Sequence, residues 1–412
     1  MSLPMTAGSV VIAGAVARRP RRGGHAWAFL QYVLGFRRLG WDVTWLDSID
    51  PTTRSGATDD EDDYPRARRR RAAEVGEFER FCAFAGIEGD ASLMVGASER
   101  RPPVDADAVA AGLPRRDVLE RVRASDLLIN VMGYIRDEEV LGAAPRRLFL
   151  DIDPGFGQMW EDMGLARLFH GHDAYATVGG RVGDDDCLIP TLGIDWIRTP
   201  PPVVLAEFEP RESRTDAPWT SVCSWRGPFE PIEHEGRTYG LRVHEFRRFL
   251  ELPRLTDAPF TIALDIDESD AVDRDRLVAA GWRLVDPLDR AGDYESYRRF
   301  IRSSAGELMI AKGLYVQTRS GWFSDRSVCY LASGLPVVAQ DTGWTESLPS
   351  GDGLIGFGTV GEAASAIDAV RSNPRRHARA AREVAEARFD SRRVLARLVE
   401  RAVATPSMRA SA

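Results

Sequence analysis

GELMIAKGLYVQTRSGWFSDRSVCYLASGLPVVAQDTGW, residues 306–344, is the stretch on which the reading of the chain turns. It divides into an apolar run (Glu307 to Ala311), a polar segment with glycine (Arg319 to Gly321), a helical run (Phe323 to Ala332) and an apolar strand (Leu335 to Gln340). Val328, Leu331 and Ala332 share one helical face, and Ser324 or Asp325 can cap the first turn through a side-chain oxygen. Gly334 stops the helix, and Pro336 is tolerated because it stands at the start of the following strand. In an open parallel sheet this order puts Arg319 to Ser327 at a strand's carboxyl end beside a helix N-terminus, where free N–H groups and the helix dipole favour an anion. Lys312, Arg319 and Arg326 add formal charge there. Lys312 is the only lysine in the chain; it reads either as a phosphate or sugar contact or as a surface charge left by a drift toward arginine.

The same rhythm extends toward the N-terminus. Ser9 to Val16 reads as a buried strand, followed by the loop Arg18 to Arg22, then Gly23-Gly24-His25-Ala26-Trp27 and a helix through Phe29, Val33, Phe36 and Leu39 that closes at Gly40. Trp41 to Asp47 alternates as a second strand, which completes a βαβ unit. No G-x-G-x-x-G follows the first strand, and no Gly-Lys-Ser/Thr occurs, so neither a dinucleotide fingerprint nor a P-loop is present. The acidic run within Pro51 to Tyr64 and the tetrad Arg68 to Arg71 read as a surface loop entering a solvated helix that continues to about Phe84. Strands are predicted at Asp126 to Met132, Arg147 to Ile152 and Ala174 to Val178. The second of these matters most for chemistry: Asp151-Ile152-Asp153-Pro154-Gly155-Phe156-Gly157 ends a strand in two carboxylates, and Asp153 either caps the next helix or faces a ligand.

Pro200 to Pro202 and the polar segment Glu209 to Pro218 read as an interdomain linker, with the boundary between about 200 and 217. Beyond it the α/β pattern restarts. Trp219 to Trp225 is strand-like and ends at Arg226-Gly227-Pro228; helices are predicted over Arg242 to Leu250, Asp270 to Ala280, Thr359 to Arg371, Arg375 to Ala387 and Ser391 to Ala402, with strands over Phe260 to Ile266, Arg283 to Asp286 and Gly353 to Phe357, and Tyr294 to Ser303 leads into the 306–344 stretch. The expected division is residues 1–205, 206–403 and a disordered tail over 404–412.

Length allows two or three domains. A net charge of −8 and a pI near 5.5 argue against a nucleic-acid partner, which ordinarily requires a basic footprint. Cys82, Cys187, Cys223 and Cys329 are scattered and form no C-x-x-C pair, so no zinc site or disulfide framework is suggested and a reducing cytoplasm is expected. The apolar run Val10 to Val16 is too short to span a membrane.

The 306–344 stretch resembles the donor-binding half of glycosyltransferases with the two-Rossmann-domain GT-B architecture, and more narrowly a group of bacterial glycosyltransferase-like proteins. The likeness continues through DIDPGFGQMW (Asp151 to Trp160), PTLGIDW (Pro190 to Trp196) and Ser224-Trp225-Arg226. It implies sugar transfer from a nucleoside-diphosphate sugar to a small-molecule acceptor in a cleft between the domains, without a metal or other cofactor. It places donor binding at Arg226, Lys312, Arg319, Ser324, Asp325, Arg326, Ser327, Asp341, Thr342 and Gly343, acceptor binding at Gly24, Trp27, Phe156 and Trp160, and catalysis at His25, followed by Asp153; the tryptophan-bearing first-domain loops (Trp27, Trp160, Trp196) favour an acceptor sugar or aromatic ring. Arg226, Lys312 and Arg326 are expected to converge on the donor phosphates. The strings Asp151-x-Asp153 and Asp265-x-Asp267 match a metal motif without further support. One departure is plain: at the two positions where retaining members carry glutamates, eight apart, this chain has Gly321 and Cys329. A nucleotide-sugar epimerase and a non-catalytic nucleotide-binding scaffold are the alternatives.

Overall fold

The computed structural model describes residues 8–50, 63–96, 109–210 and 216–405. Most of the acidic run in 51–62, part of the expected linker (211–215) and all but the start of the expected tail (406–412) lie outside the described residues.

The first domain runs β1 (Ser9–Gly14), α1 (Gly23–Arg38), β2 (Asp42–Ile49), α2 (Asp63–Ala85), β3 (Ala91–Val95), β4 (Val109–Gly112), α3 (Arg115–Ala124), β5 (Leu127–Val131), α4 (Glu138–Ala143), β6 (Arg147–Asp151), α5 (Phe156–Asp162), β7 (Ala174–Thr177) and β8 (Trp196–Arg198). Its sheet has the order β4-β3-β2-β1-β5-β6-β7-β8, parallel except where β4 lies antiparallel on β3. Val10, Val11, Ile12 and Ala13 of β1 are all buried, because helices cover both faces of a parallel sheet and leave no side for water.

The second domain runs β9 (Trp219–Ser224), a hairpin of β10 (Ile232–His234) and β11 (Arg237–Tyr239), α6 (Arg242–Arg248), β12 (Phe260–Asp265), α7 (Ala271–Ala279), β13 (Arg283–Val285), α8 (Pro287–Ala291), α9 (Tyr294–Arg302), β14 (Gly306–Met309), α10 (Gly313–Gln317), α11 (Asp325–Ala332), β15 (Val337–Gln340), β16 (Leu354–Phe357), α12 (Val360–Ser372), α13 (Pro374–Val384) and α14 (Ser391–Ala404). Its parallel sheet, β13-β12-β9-β14-β15-β16, is doubly wound, with the winding reversing between β9 and β14. The first sheet reverses between β1 and β5. Ligands of such sheets bind outside the carboxyl ends at these reversals, and here the two sets of carboxyl ends face one another.

The opening stretch gains an element absent from its sequence reading: the short helix α10, begun at Gly313. Helix α11 starts at Asp325 rather than Phe323 because the Ser324 hydroxyl accepts the Arg326 N–H at 3.2 Å. At the far end the chain returns to the first domain. The Val203 N–H donates to the Phe389 carbonyl at 2.7 Å, Ser391 N–H donates to Val203 at 2.9 Å, and α14 then packs on α1, β7 and β8. Gly35 permits that contact, since a Cβ there would stand 2.5 Å from a Leu395 methyl. No helix among the described residues is long and apolar enough to cross a membrane.

Candidate active site

A cavity of about 940 Å³ occupies the space between the two sets of strand ends. Its second-domain wall begins where β9 ends. Arg226 reaches the cavity but is held by Asp270, with Nε and Nη2 at 2.7 and 2.6 Å from the carboxylate oxygens. Next to it, Arg242 at the start of α6 donates to the carbonyls of Ile310 (3.1 Å) and Ser224 (3.5 Å), and so ties the ends of β9 and β14 together. The sequence reading missed Arg242. Its only signal was a basic residue opening a helix directly after a Gly-Leu step.

Lys312 leaves the end of β14 and crosses the cleft. Its Nζ lies 2.8 and 2.7 Å from the two oxygens of Asp153, and 5.4 and 5.1 Å from the ring centres of Phe156 and Tyr315. The Tyr315 hydroxyl also donates to Asp153, and burial together with that carboxylate raises the phenol's pKa well above its usual range. Asp153 does not cap α5. The residue at the cap of that helix is Gly155, whose N–H donates to the Gln158 side chain at 2.8 Å.

The expected convergence of Arg226, Lys312 and Arg326 is not what the fold builds. Arg326 borders the cavity, yet its side chain runs into the sheet, where Nε donates to the fully buried Glu307 and Nη1 donates to the Val222 carbonyl at 2.7 Å. A cation committed to a buried carboxylate braces β14 against β9 and is not free for a ligand. Ser324 is spent as the helix cap, and the Ser327 hydroxyl is fully buried away from the cavity. Arg319 sits outside the cleft in a network with Asp186 and Glu346, which Arg181 also joins. Asp341 accepts from the Gly343 N–H and the Thr345 hydroxyl, both at 2.8 Å, while Thr342 donates to the Trp322 carbonyl at 2.7 Å. Gly343, at φ +92°, leaves room for Arg181. These residues form the seam behind the cleft. Of the α11 group, only Asp325 offers a half-buried carboxylate to the cavity, with its pKa raised chiefly by burial.

On the first-domain wall, Gly24 and His25 open α1. The His25 Nε2 lies 2.8 Å from the Ala15 carbonyl; a carbonyl only accepts, so Nε2 carries the proton and Nδ1 keeps its lone pair. Burial lowers the imidazole's pKa to about 4, so it is neutral at physiological pH. Phe156 and Trp160 border the cavity beside Phe229. Trp27 does not. It is 1% exposed, donates to the Tyr294 carbonyl at 3.0 Å and packs on Phe84 and Phe208, because the helical period turns it toward α9. Trp196 is likewise away from the cavity, against Phe169 and Tyr175.

Neither Asp-x-Asp string forms a metal pair. Asp151 is buried and accepts from Gln158 (2.7 Å), Thr177 (2.9 Å) and the Asp153 N–H (3.0 Å), with burial raising its pKa to about 6. Asp265 pairs with Arg22 across the cleft at 2.9 Å, and Asp267 caps a turn at Ser269. Among the described residues no group of three or more His, Cys, Asp or Glu side chains is placed to hold a metal ion.

Comparison with solved structures places this architecture. The chain aligns over 97% of its length with all of an alpha-glucosyltransferase solved with UDP and a 13-mer DNA (TM-score 0.55, 11% identity). The fold is GT-B. Two further GT-B structures agree: HepE from Anabaena with UDP and glucose (96% of this chain, 100% of that one, TM-score 0.52, 11% identity) and sucrose-phosphate synthase from Thermosynechococcus elongatus (96% and 99%, TM-score 0.51, 10% identity). No protein-family model and no curated protein sequence matches the chain.

These structures also correct the partner expectation. GT-B glucosyltransferases are found holding DNA, so the exclusion of nucleic acid drawn from a net charge of −8 does not stand. Net charge sums the whole surface, whereas an anion responds to the charges within about a Debye length, ~8 Å at physiological salt. The cleft's first-domain wall carries Arg18, Arg19, Arg21 and Arg22.

Proposed function

We propose that the protein transfers a sugar from a nucleoside-diphosphate sugar to an acceptor bound against the first domain, and does so without a metal. The observation that carries this reading is the Lys312–Asp153 pair: the chain's single lysine, after β14, and a carboxylate at the end of β6 meet across the cleft. A donor diphosphate entering from the second-domain side would take Lys312 as its counter-ion, with Arg226 and Arg242 close by. Asp153 would thereby lose its cation and become free to accept a proton from an acceptor hydroxyl. His25, neutral and with Nδ1 unprotonated, supplies a second acceptor in the same wall. Its pKa of about 4 leaves it a weak base, better suited to orienting a hydroxyl than to removing its proton. Asp325 gives the donor ribose or sugar a carboxylate to hydrogen-bond, in a chain with Cys329 and Gly321 where retaining relatives carry glutamates.

An acceptor wall lined by Phe156 and Trp160 favours transfer over epimerisation, which needs no acceptor. The four free thiols support a reducing, cytoplasmic compartment. Thermal unfolding in the presence of UDP and of other nucleoside diphosphates tests the reading: a ligand at 100 times its Kd raises stability by about 2.7 kcal/mol. Absence of stabilisation by every nucleoside diphosphate, with no release of UDP from UDP-glucose in the presence of an acceptor panel, would overturn it.

A further inference from the structure

We infer that the arginine loop between β1 and α1 binds a phosphate carried by the acceptor, so that the substrate on the first-domain side is a phosphate ester. The inference rests on the glycosyl-transfer reading for the word acceptor, but the anion site stands on its own geometry.

Arg18, Arg19, Arg21 and Arg22 all border the cavity, and Asp153, the first-domain carboxylate among the residues that line it, is neutralised by Lys312. The loop is held in shape before any ligand arrives. The buried Asp47 carboxylate accepts the N–H groups of Val16 and Ala17, both at 2.9 Å, and Arg18 is anchored on Ser48 through its carbonyl (2.7 Å) and hydroxyl (2.9 Å). Arg21 adopts φ +59°, a left-handed turn that a side chain rarely takes, and its N–H is fixed by Glu77 at 3.1 Å. Arg22 is taken by Asp265.

Arg19 is the exception. It is exposed within the cavity and has no partner among the described residues, while its charge reaches both His25 and Tyr134. Four positions on, at Gly23, the 16-residue helix α1 begins with no side-chain cap and no acidic residue in its first turn. The unpaired guanidinium and the first residues of the helix, Gly23, Gly24 and His25, thus border the same cavity. That combination suits a phosphate, which accepts from both. The donor's own diphosphate has Lys312, Arg226 and Arg242 on the opposite wall.

The test titrates inorganic phosphate into the full chain saturated with UDP, against potassium chloride of equal ionic strength, with melting temperature as the readout. Phosphate should stabilise the UDP complex beyond the salt control, and Arg19→Ala should weaken that effect by about tenfold or more while UDP itself binds within twofold of the parent. Hexose 6-phosphates and a short DNA oligonucleotide form two further arms; whichever gains affinity over inorganic phosphate in an Arg19-dependent way identifies the source of the ester, and either supports the inference. Phosphate that displaces UDP, or an Arg19→Ala variant that loses UDP affinity, would assign the loop to the donor and overturn it. So would the absence of any effect beyond the salt control. If UDP does not bind at all, the glycosyl-transfer reading fails, and the same phosphate titration on the protein alone still reports on the arginine loop.

Discussion

Lys312 and Asp153 stand 159 positions apart in the chain, yet the ammonium touches both carboxylate oxygens, at 2.8 and 2.7 Å, with the Lys312 side chain only 16% exposed. Each side chain comes from a strand end of a different domain, so the pair reports closure of the cleft as well as its chemistry.

If the donor's phosphates compete with Asp153 for Lys312, the two residues respond in opposite directions. Lys312→Ala should weaken UDP binding by about ten- to a hundredfold, the worth of one charge-assisted contact. Asp153→Asn removes the competitor and should tighten UDP binding several-fold while lowering turnover by about 10²-fold or more. Calorimetric titration of both variants, with turnover of Asp153→Asn, decides; equal weakening by the two substitutions rules the exchange out.

His25 supplies a pH prediction. Its folded pKa, lowered to about 4 chiefly by burial, lies below the unfolded value near 6.5. Between these values the unfolded chain binds the extra proton, so this residue's contribution makes stability rise with pH from about 4 to 6.5 and then level off. His172, also lowered to about 4, adds the same sign, and Asp151, raised to about 6, opposes it. The His25→Asn variant minus the parent isolates one residue, and its stability difference should vary with pH only in that window. Turnover should show no inflection near 6.5 that the substitution abolishes.

Arg326→Met should act on the fold before it acts on the donor. Removing one partner of a buried ion pair costs about 3–5 kcal/mol because Glu307, fully buried, is left uncompensated. Replacing both residues, as Arg326→Met with Glu307→Leu, should recover much of that loss. Urea unfolding of the single and double variants measures it, and a single variant as stable as the parent would return Arg326 to the candidate donor contacts.

Gly23 lies where α1 meets the second domain. A Cβ there would stand 2.5 Å from the Asp293 carbonyl and 2.6 Å from that of Ala291, backbone atoms that cannot rotate away. Gly23→Ala should therefore force the domains apart, at about 1–3 kcal/mol of overpacking. Small-angle scattering should record a larger radius of gyration, and turnover should fall; an unchanged radius with full activity would show that closure tolerates the methyl group.

The repeated alternation of apolar strands with amphipathic helices was enough, read from the sequence, to establish an α/β chain, because parallel strands buried on both faces leave continuous apolar runs such as Val10 to Ala13 and Leu335 to Ala339. The loops that would face ligand were legible for the same reason: a strand followed by glycine and a helix start marks a carboxyl end, as at Gly24, Asp153 and Lys312, while the roles expected of His25 and Arg226 came from the resemblance to GT-B glycosyltransferases. What each charged side chain does there was decided only by tertiary structure. Arg326 and Arg319 carry the same charge in neighbouring turns, but one meets Glu307 inside the sheet and the other meets Asp186 and Glu346 on the outer seam. Trp27 turned inward because α9 of the other domain covers that face of α1. Local periodicity reports whether a residue lies on an apolar or polar face of its own element. It carries no record of which distant carboxylate or carbonyl will stand opposite, and in a cleft closed by two domains that opposite partner determines whether a cation is free to bind.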